Sequence, residues 1–433
     1  MTAEIGIINR SAVTLATDSA VTLTVRGSEK IYNSADKLFE LSEKDPIGVM
    51  IYNNLEFMGI ALEVAIKSFR AMSKHYETVA LAVQAFFQYL EADLAPDRGL
   101  QQQYAKSVLY PVLHGMRLKF EEIVRRQLET QKPETIDFPA IFTESAKKHI
   151  EQAEQYSVCA SLEAVTELEI AEFYGSVFDE LLKELFGTLP LGGALKDLVR
   201  RLATLHIHRE IDSDSVTGFV FAGFGGQETF PHLIAYRVDG VVCNRLKLRE
   251  TDNVATSRSE ATGKIIPFAQ REMVDRFLFG IDPELEGVIE DYLSAAVGQT
   301  GTEIAKNLPR GTRVATRAKL ANAARAATEA AVSQWRHKMV PLFKERFVRE
   351  VQDMILLMPK QELAALAQEL INLTSVKRRF SSGKDSVGGP IDVAVISRMD
   401  GFVWVRRKHY FEPGLNPRFF QRKFANPKLG GSL

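Results

Sequence analysis

Short apolar runs separated by polar breaks open this chain, a pattern typical of β-strands. Residues 4–8 form the first run, residues 9–11 form a polar break, and residues 12–18 form the second run. Two β-rich runs around a short polar break predict a β-hairpin. Because the strands of a hairpin are antiparallel, the end of the second run returns beside the start of the first. The hairpin therefore predicts that Asp18 lies close to Thr2.

Two more apolar runs predict a third and a fourth strand. They cover residues 37–41 and 47–52, and a loop separates them. Lys37 opens the third strand. Since a nearby opposite charge favours the charged form of a side chain, we expect Lys37 to pair with Asp18 and to hold the proton balance around Thr2.

The middle of the chain changes to the period of an amphipathic helix. Apolar residues recur at helical spacing from Leu55 onward, and a mostly helical pattern continues to about residue 210. Its breaks contain proline or glycine and fall at residues 94–99, 131–133 and 187–193. This stretch predicts a helical layer of its own.

A second helical stretch lies nearer the end of the chain. Residues 312–338, rich in alanine, arginine and glutamate, predict one helix that ends near Pro341. Residues 342–358 and 361–373 predict two more helices, and a linker at residues 381–384 returns the chain to the last strands. Such helices either cover a sheet face or bind a neighbouring subunit.

The position of Thr2 directly after Met1 introduces candidate chemistry. A threonine hydroxyl is a weak nucleophile that needs a base within hydrogen-bond reach. An α-amino group has a pKa of about 7.7–8.0, which suits a general base, and on an N-terminal threonine it belongs to the same residue. A small second residue such as Thr2 permits removal of Met1 by methionine aminopeptidase. The alternative is that threonine is simply a common second residue.

Besides the Thr2 start, seven segments resemble the proteasome β-type N-terminal nucleophile (Ntn) hydrolases and their bacterial relatives. The segments stand in the right order over roughly half of the chain and are residues 16–22, 37–41, 47–50, 218–225, 232–240, 386–396 and 401–404. The resemblance implies an α+β fold, a four-layer αββα sandwich in which two stacked antiparallel sheets lie between helices.

The resemblance also divides the chain into a family core and additions to it. The implied Ntn-hydrolase core is discontinuous and consists of residues 1–75, 211–298 and 385–412. The family does not explain the remaining segments, which we expect to be helical insertions at residues 76–210 and 299–384 and a basic, aromatic tail at residues 413–433.

The roles of individual residues also follow from the resemblance. Thr2 is the implied nucleophile and its amine the base. Asp18 orients Lys37, and Lys37 lowers the pKa of the hydroxyl and amine region. The residues implied to line the substrate cleft or its first specificity pocket are Ala20, Val21, Thr22 and Met50.

The chain departs from the family pattern at three places. Asn53 and Asn54 stand where the family has a glycine whose backbone N–H stabilises the oxyanion, although a backbone N–H does not require glycine. Thr262 is the candidate for a serine that binds the amine. Asp385 and Ser386 are the candidates for a later aspartate and serine of the same network.

The expected activity is hydrolysis of amide bonds, most of all in peptides or proteins, without a metal or an organic cofactor. The resemblance implies a homo-oligomer with the active site facing an enclosed space. It leaves open whether an ATP-dependent partner delivers the substrate. Two alternatives also stay open: a catalytically inactive Ntn-fold scaffold or partner subunit, and an amidase acting on a small molecule.

Composition changes this picture little. A chain of 433 residues with 45% hydrophobic residues and a net charge of -1 is typical of a folded cytoplasmic enzyme. No apolar run has membrane-spanning length, and the start lacks a secretory signal. Cys159 and Cys243 predict no disulfide framework and no metal site.

Two further motifs favour ordinary structural interpretations. His206 and His208 would share one side of an extended segment, but we do not expect a metal there. The tail interleaves basic and aromatic residues, as some nucleic-acid-binding surfaces do. With a net charge near zero, a solvated strand edge or a subunit contact is the preferred interpretation, and no nucleic-acid partner is expected.

Overall fold

The computed structural model describes most of the chain, and it divides into two compact units. The described residues are 2–25, 28–130, 132–187, 189, 192–258, 263–307, 309, 313–380 and 387–425. The first unit contains Met1–Ala35, Thr256–Val395 and Val403–Tyr410, and the second unit contains Asp36–Ala255, Ile396–Phe402 and Phe411–Leu433.

The fold is mixed α+β with antiparallel sheets, as the sequence predicts. Within the described residues the strands are β1 (Ala3–Ile8), β2 (Ala12–Thr17), β3 (Val21–Val25), β4 (Ser28–Tyr32), β5 (Leu38–Glu40), β6 (Ile47–Tyr52), β7 (Glu56–Phe57), β8 (Ile60–Ala61), β9 (Thr217–Gly223), β10 (His232–Val242), β11 (Arg245–Ala255), β12 (Lys264–Ala269), β13 (Asp392–Ser397) and β14 (Gly401–Arg406).

The α-helices fall mainly in two long stretches of the chain. They are α1 (Leu62–Ala71), α2 (Val79–Gln88), α3 (Arg98–Leu128), α4 (Phe138–Glu154), α5 (Glu167–Phe173), α6 (Gly175–Phe186), α7 (Gly193–His208), α8 (Glu272–Phe279), α9 (Pro283–Lys306), α10 (Val314–Gln334), α11 (Val340–Leu357), α12 (Lys360–Arg379) and α13 (Pro417–Ala425).

One five-stranded sheet has the order β12-β1-β2-β13-β14, so the start of the chain forms one of its interior strands. β1 pairs antiparallel with β12 on one side and with β2 on the other, in a register that places Glu4 opposite Thr17. Asn9 closes the turn, because its backbone N–H donates to Ala12 O at 3.0 Å and its side chain accepts from the Ser11 N–H at 2.9 Å. The predicted hairpin is confirmed.

The two faces of β1 differ because side chains alternate along a strand. Its odd-numbered residues join an apolar core that includes Leu278 of α8 and Leu370 of α12. Thr2 and Glu4 have the opposite parity, so they point to the other face. That face is buried as well, since every residue of β1 and β2 is buried.

The second unit contains another five-stranded sheet, in the order β11-β10-β9-β6-β5, and all its neighbouring strands pair antiparallel. β5 and β6 confirm the predicted third and fourth strands. Helices α1 and α2 share an apolar core with this sheet. Phe86 and Phe87 of α2 contact Phe219 and Phe221 of β9, with ring centroids 5.6 to 6.1 Å apart.

The long helical stretch of the second unit builds a further apolar core. Leu109 of α3, Phe142 of α4, Leu181 of α6 and Leu202 of α7 are each at most 1% exposed within it. The prediction that this stretch is mostly helical is confirmed.

The first helix starts later than predicted. The hydrophobic spacing placed its start near Leu55, but the hairpin β7-β8 comes first and α1 begins at Leu62. Met58 and Gly59 between the two strands have φ of 49° and 85°. A right-handed helix excludes such values, whereas a tight hairpin turn requires them.

The two helices predicted on either side of Pro341 are confirmed, and their junction lies just before the proline. α10 leads into a π-helical turn at Trp335–Met339, and α11 then starts at Val340. Pro341 lies in the first turn of α11. A proline is tolerated there because the first N–H groups of a helix have no partner within that helix. Pro341 therefore marks a junction between two helices and not a break.

His206 and His208 lie on the last turn of α7, within the stretch predicted to be helical, and not in an extended segment. Two residues apart on a helix, their side chains do not face each other. Among the described residues, no His, Cys, Asp and Glu side chains are grouped as a metal site requires.

The compact units do not separate the predicted core from the predicted insertions. Each unit combines one large sheet with helices, because helices from both groups pack on sheet residues. The assignment of residues 76–210 and 299–384 as insertions, and of 413–433 as a tail that includes α13, stays a prediction. None of the helices in the described part of the chain has both the length and the apolar character needed to cross a membrane.

Candidate functional site

Thr2 and Asp18 meet at the open end of the β1-β2 hairpin. The Thr2 hydroxyl donates to Asp18 Oδ1 at 2.6 Å, and the Asp18 N–H donates to Ala3 O at 3.1 Å. Both side chains are buried. The closeness that the hairpin predicted is therefore confirmed, and it arises from the antiparallel register of the two strands. The catalytic roles of the two residues stay predictions.

Three backbone N–H groups hold the Asp18 carboxylate in place. Oδ1 accepts from Ala3 at 3.2 Å, and Oδ2 accepts from Gly388 at 2.9 Å and from Ala20 at 3.4 Å. Hydrogen bonds to an ionised acceptor are stronger than those between neutral groups. Asp18 thus links the start of β1 to the residues before β3 and before β13. These contacts fix the orientation of the Asp18 carboxylate toward Thr2.

Replacing Asp18 by asparagine is expected to destabilise the protein by about 1–3 kcal/mol, because one carboxylate oxygen becomes an NH2 group that faces backbone donors. Urea denaturation measures the change. The matched control is Asp137→Asn: Asp137 caps α4 at an exposed position by accepting from the Ala140 N–H at 2.9 Å, and asparagine caps a helix as well as aspartate does. Equal denaturation midpoints for the two variants would contradict this account of Asp18.

Glu4 is a carboxyl group of the site that the sequence analysis missed. It is fully buried, and its Oε1 lies 3.5 Å from Thr2 Oγ1 and 3.1 Å from Thr17 Oγ1. The signal was present in the sequence, since residues two apart on a strand share a face and Thr17 is the cross-strand partner of Glu4. Two carboxyl groups, from Asp18 and Glu4, thus approach the hydroxyl of Thr2.

The backbone around Thr2 is fixed by neighbouring segments. The Thr2 carbonyl accepts from the Gln270 N–H at 3.2 Å, just beyond β12. Ser19 donates from its N–H to Gly388 O at 3.2 Å and from its hydroxyl to Pro390 O at 2.6 Å. Such support keeps a reacting group in one orientation, which catalysis requires.

Lys37 and Met50 lie in the second unit. Lys37 is 2% exposed, and its carbonyl accepts from the Ile51 N–H at 2.8 Å, next to the pairing of Leu38 with Met50. Met50 is fully buried. Lysine side chains are almost never fully buried in proteins unless an opposite charge is paired with them. Pairing of Lys37 with Asp18 stays a prediction.

Asn53 follows β6 with a φ of 70°, in the left-handed region. Glycine adopts this conformation without strain, and asparagine is one of the few other residues that tolerate it. Asn53 thus adopts a backbone conformation that glycine favours. The neighbouring Asn54 N–H donates to Tyr52 O at 3.1 Å, and the Asn54 side chain donates to Val216 O at 3.4 Å.

Two of the residues expected to line the substrate cleft, Val21 and Thr22, are more accessible than Thr2. Ala20 is buried, whereas Val21 and Thr22, at the start of β3, are half-buried. β3 pairs with β4 so that Val21 stands opposite Tyr32 and Thr22 opposite Ile31. Their role in substrate binding stays a prediction.

Three weaker candidates, Thr262, Asp385 and Ser386, lie outside the described residues, so their roles stay predictions. In comparisons with known proteins, no protein-family model matches the chain and no curated protein matches it. The resemblance to the Ntn hydrolases rests on the segments and the residues named above.

Proposed function

We propose that this protein is an N-terminal threonine hydrolase that cleaves amide bonds in peptides. The observation that carries the proposal is the 2.6 Å hydrogen bond from the Thr2 hydroxyl to the buried Asp18 carboxylate. A threonine directly before an interior strand of a sheet, with a fixed carboxylate on its hydroxyl, has the arrangement of a nucleophile and its orienting group. The reaction also needs a free Thr2 amine, which requires removal of whatever precedes Thr2.

In the proposed mechanism Thr2 Oγ1 attacks the substrate carbonyl carbon while the free amine of Thr2 serves as the base. The hydroxyl loses its proton, the new C–O bond forms, and the carbonyl π electrons move to the oxygen. A backbone N–H near Asn53 or Asn54 holds this oxyanion. The leaving nitrogen departs with a proton, and water then releases the acyl group from Thr2.

Lys37 is proposed to lower the pKa of the Thr2 hydroxyl and amine. Replacing Lys37 by methionine is expected to slow reaction at Thr2 by about 100-fold, the size typical of a lost proton-transfer group. We expect the variant to stay folded, because methionine fills a similar volume and Asp18 keeps three backbone N–H donors on its carboxylate. The matched control is Lys44→Met at an exposed position, which should react at the wild-type rate. Global unfolding of Lys37→Met alone would make Lys37 a structural residue.

We further propose the four-layer αββα architecture, a homo-oligomeric state and a cytoplasmic location. The architecture is supported by two five-stranded sheets with antiparallel pairing, each packed with helices of its own unit. The substrate class is peptide or protein, and delivery by an ATP-dependent partner is compatible with it.

The proposal is tested first by the intact mass of the purified protein. We expect the mass of a chain that begins at Thr2. Retention of Met1 on essentially all chains blocks the amine and refutes the enzymatic proposal. Protein that begins at Thr2 is then incubated with an epoxyketone inhibitor directed at N-terminal threonine, and peptide mapping should locate one inhibitor molecule on residue 2.

A catalytically inactive scaffold of the same fold is the second candidate. It is favoured by the Asn54 N–H, a candidate oxyanion donor, which already donates to Tyr52 O. Absence of an adduct on protein that begins at Thr2 would favour this candidate. If an adduct forms, competition by a peptide library but not by small amides separates a peptidase from a small-molecule amidase.

A further inference from the structure

Glu4 has a position that the general scheme for a threonine nucleophile does not use. It is fully buried, and its Oε1 lies 3.5 Å from the oxygen that would attack the substrate. Burying a carboxyl group costs free energy relative to an apolar side chain. Buried titratable groups next to a reacting atom are therefore candidates for a functional role.

Direct proton transfer within Thr2 is geometrically poor. Its amine and its hydroxyl are bonded to adjacent carbon atoms, so an O–H···N hydrogen bond inside the residue closes a five-membered ring with a strongly bent angle. Hydrogen bonds weaken steeply below about 120°. A separate group that takes the hydroxyl proton and passes it on removes this constraint.

Asp18 is poorly suited to take that proton, although it is the closer carboxylate. Its two oxygens already accept from the N–H groups of Ala3, Ala20 and Gly388. With the Thr2 hydroxyl, these N–H groups make four donors for the roughly four lone-pair positions of the carboxylate, so its orientation is fixed. Asp18 is therefore an orienting group, and the proton must go elsewhere.

Glu4 is within reach of the hydroxyl without any movement of heavy atoms. The hydroxyl hydrogen rotates about the Cβ–Oγ1 bond of Thr2, so one oxygen can donate to Asp18 Oδ1 at 2.6 Å or to Glu4 Oε1 at 3.5 Å. Catalytic hydrogen bonds are often longer before substrate binds. The contact from Thr17 Oγ1 at 3.1 Å orients the Glu4 carboxyl toward this position.

We infer that Glu4 is a catalytic residue that accepts the proton of the Thr2 hydroxyl during attack. The Thr2 O–H bond breaks, its proton moves to Glu4 Oε1, and Oγ1 bonds to the carbonyl carbon as the C=O π electrons move to oxygen. Glu4 is then a neutral carboxylic acid. Glu4 passes its proton to the free amine of Thr2 and returns to the carboxylate, and the protonated amine then supplies the departing nitrogen, which leaves as an amine. This inference rests on the proposed function.

The test measures epoxyketone adduct formation on full chains that begin at Thr2, for wild type and Glu4→Gln. Glutamine keeps the size and hydrogen bonds of Glu4 but cannot take a proton. We expect the limiting rate at saturating inhibitor to fall by about 100-fold, while the inhibitor concentration that gives half of that rate stays the same. A role in structure alone would leave the limiting rate near wild type.

Thr14→Val is the matched control on the neighbouring strand. Thr14 is buried in β2, and within the described part of the chain its hydroxyl has no hydrogen-bond partner. It has the opposite parity to Thr17 and so points to the other face of the strand. Its removal should leave the limiting rate unchanged.

The outcomes separate this inference from the proposed function. Wild-type protein that begins at Thr2 and forms no adduct refutes the proposed function and the inference with it. If wild type reacts and the limiting rate of Glu4→Gln is within a factor of about three of the wild-type rate, the role of Glu4 is overturned and the proposed function is not. If Glu4→Gln does not fold, Glu4→Asp decides: the retracted carboxylate should slow the limiting rate by at least about 10-fold, and an unchanged rate overturns the inference.

Discussion

Replacing Thr2 by alanine is expected to abolish adduct formation and amide hydrolysis, because the attacking oxygen is lost. Activities of enzymes that lose their nucleophile fall by as much as about 10⁶-fold. The fold should survive, because the Thr2 side chain is small and lies at the end of the sheet, just before β1. Intact mass with the epoxyketone and hydrolysis of a fluorogenic peptide pool measure the two effects.

Thr2→Ser is the matched variant for this experiment. Alanine and serine at position 2 are both small, so removal of Met1 should proceed equally in the two proteins. Serine retains the hydroxyl and should keep both the adduct and measurable hydrolysis. Hydrolysis by Thr2→Ala at the wild-type rate would show that the activity arises elsewhere in the molecule or in the preparation.

The hairpin and its neighbours could be predicted from the sequence because their information is local. Alternation in residues 4–8 and 12–18 fixes two strands, and a short turn fixes their antiparallel register. That register alone brings Asp18 to Thr2. The same reasoning identified β5 and β6 from two short apolar runs.

Glu4 was missed for a reason that is also physical. A polar residue inside an apolar run is usually taken as the solvent-facing side of a strand. Here both faces of β1 are buried, so Glu4 lies inside the protein beside Thr17. The second face is covered by distant parts of the chain. The alternation of residues within one strand does not show whether such a cover is present.

The late start of α1 has a different cause. The spacing of apolar residues from Leu55 suits a helix, yet the positive φ of Met58 and Gly59 sets a hairpin turn first. The hydrophobic pattern does not report this backbone conformation, whereas it correctly placed the two helices on either side of Pro341.

A buried charge network in the second unit was likewise absent from the sequence analysis. Asp239 of β10 and Lys247 of β11 form an ion pair of 3.2 Å, and both side chains are at most 4% exposed. The Tyr104 hydroxyl of α3 donates to Asp239 at 2.9 Å, and the Ser213 hydroxyl donates to the same carboxylate. Burial and the Asp239 carboxylate raise the pKa of Tyr104 well above its ordinary value.

The network joins the sheet of the second unit to its helices. Lys247 also donates to His206 O at 3.1 Å and to Ile211 O at 2.7 Å, so one ammonium group binds the end of α7 and the loop after it. Tyr104 brings α3 to the same point. A Cβ on Gly240 would lie 2.6 Å from the Tyr104 ring, so only glycine leaves room for this approach.

Replacing Asp239 by alanine is expected to destabilise the second unit by about 3–5 kcal/mol, because Lys247 is left buried without its counter-charge. Tyr104→Phe removes one hydrogen bond to a charged group and should cost about 1.5–3 kcal/mol. Both changes are measured as shifts of the urea denaturation midpoint of the second unit, which is monitored through its helical signal.

The control is an ion pair of the same unit that differs in burial. Lys106 and Glu180 are only 2.7 Å apart, but their side chains are 36% and 59% exposed. Solvent screens such a pair, and Lys106→Met should leave the denaturation midpoint close to the wild-type value. Distance alone would rank the two pairs in the opposite order, so an effect of Lys106→Met equal to that of Asp239→Ala would refute burial as the cause.

The double variant Asp239→Asn/Lys247→Met removes both charges and should recover part of the loss, since no buried charge then lacks its partner.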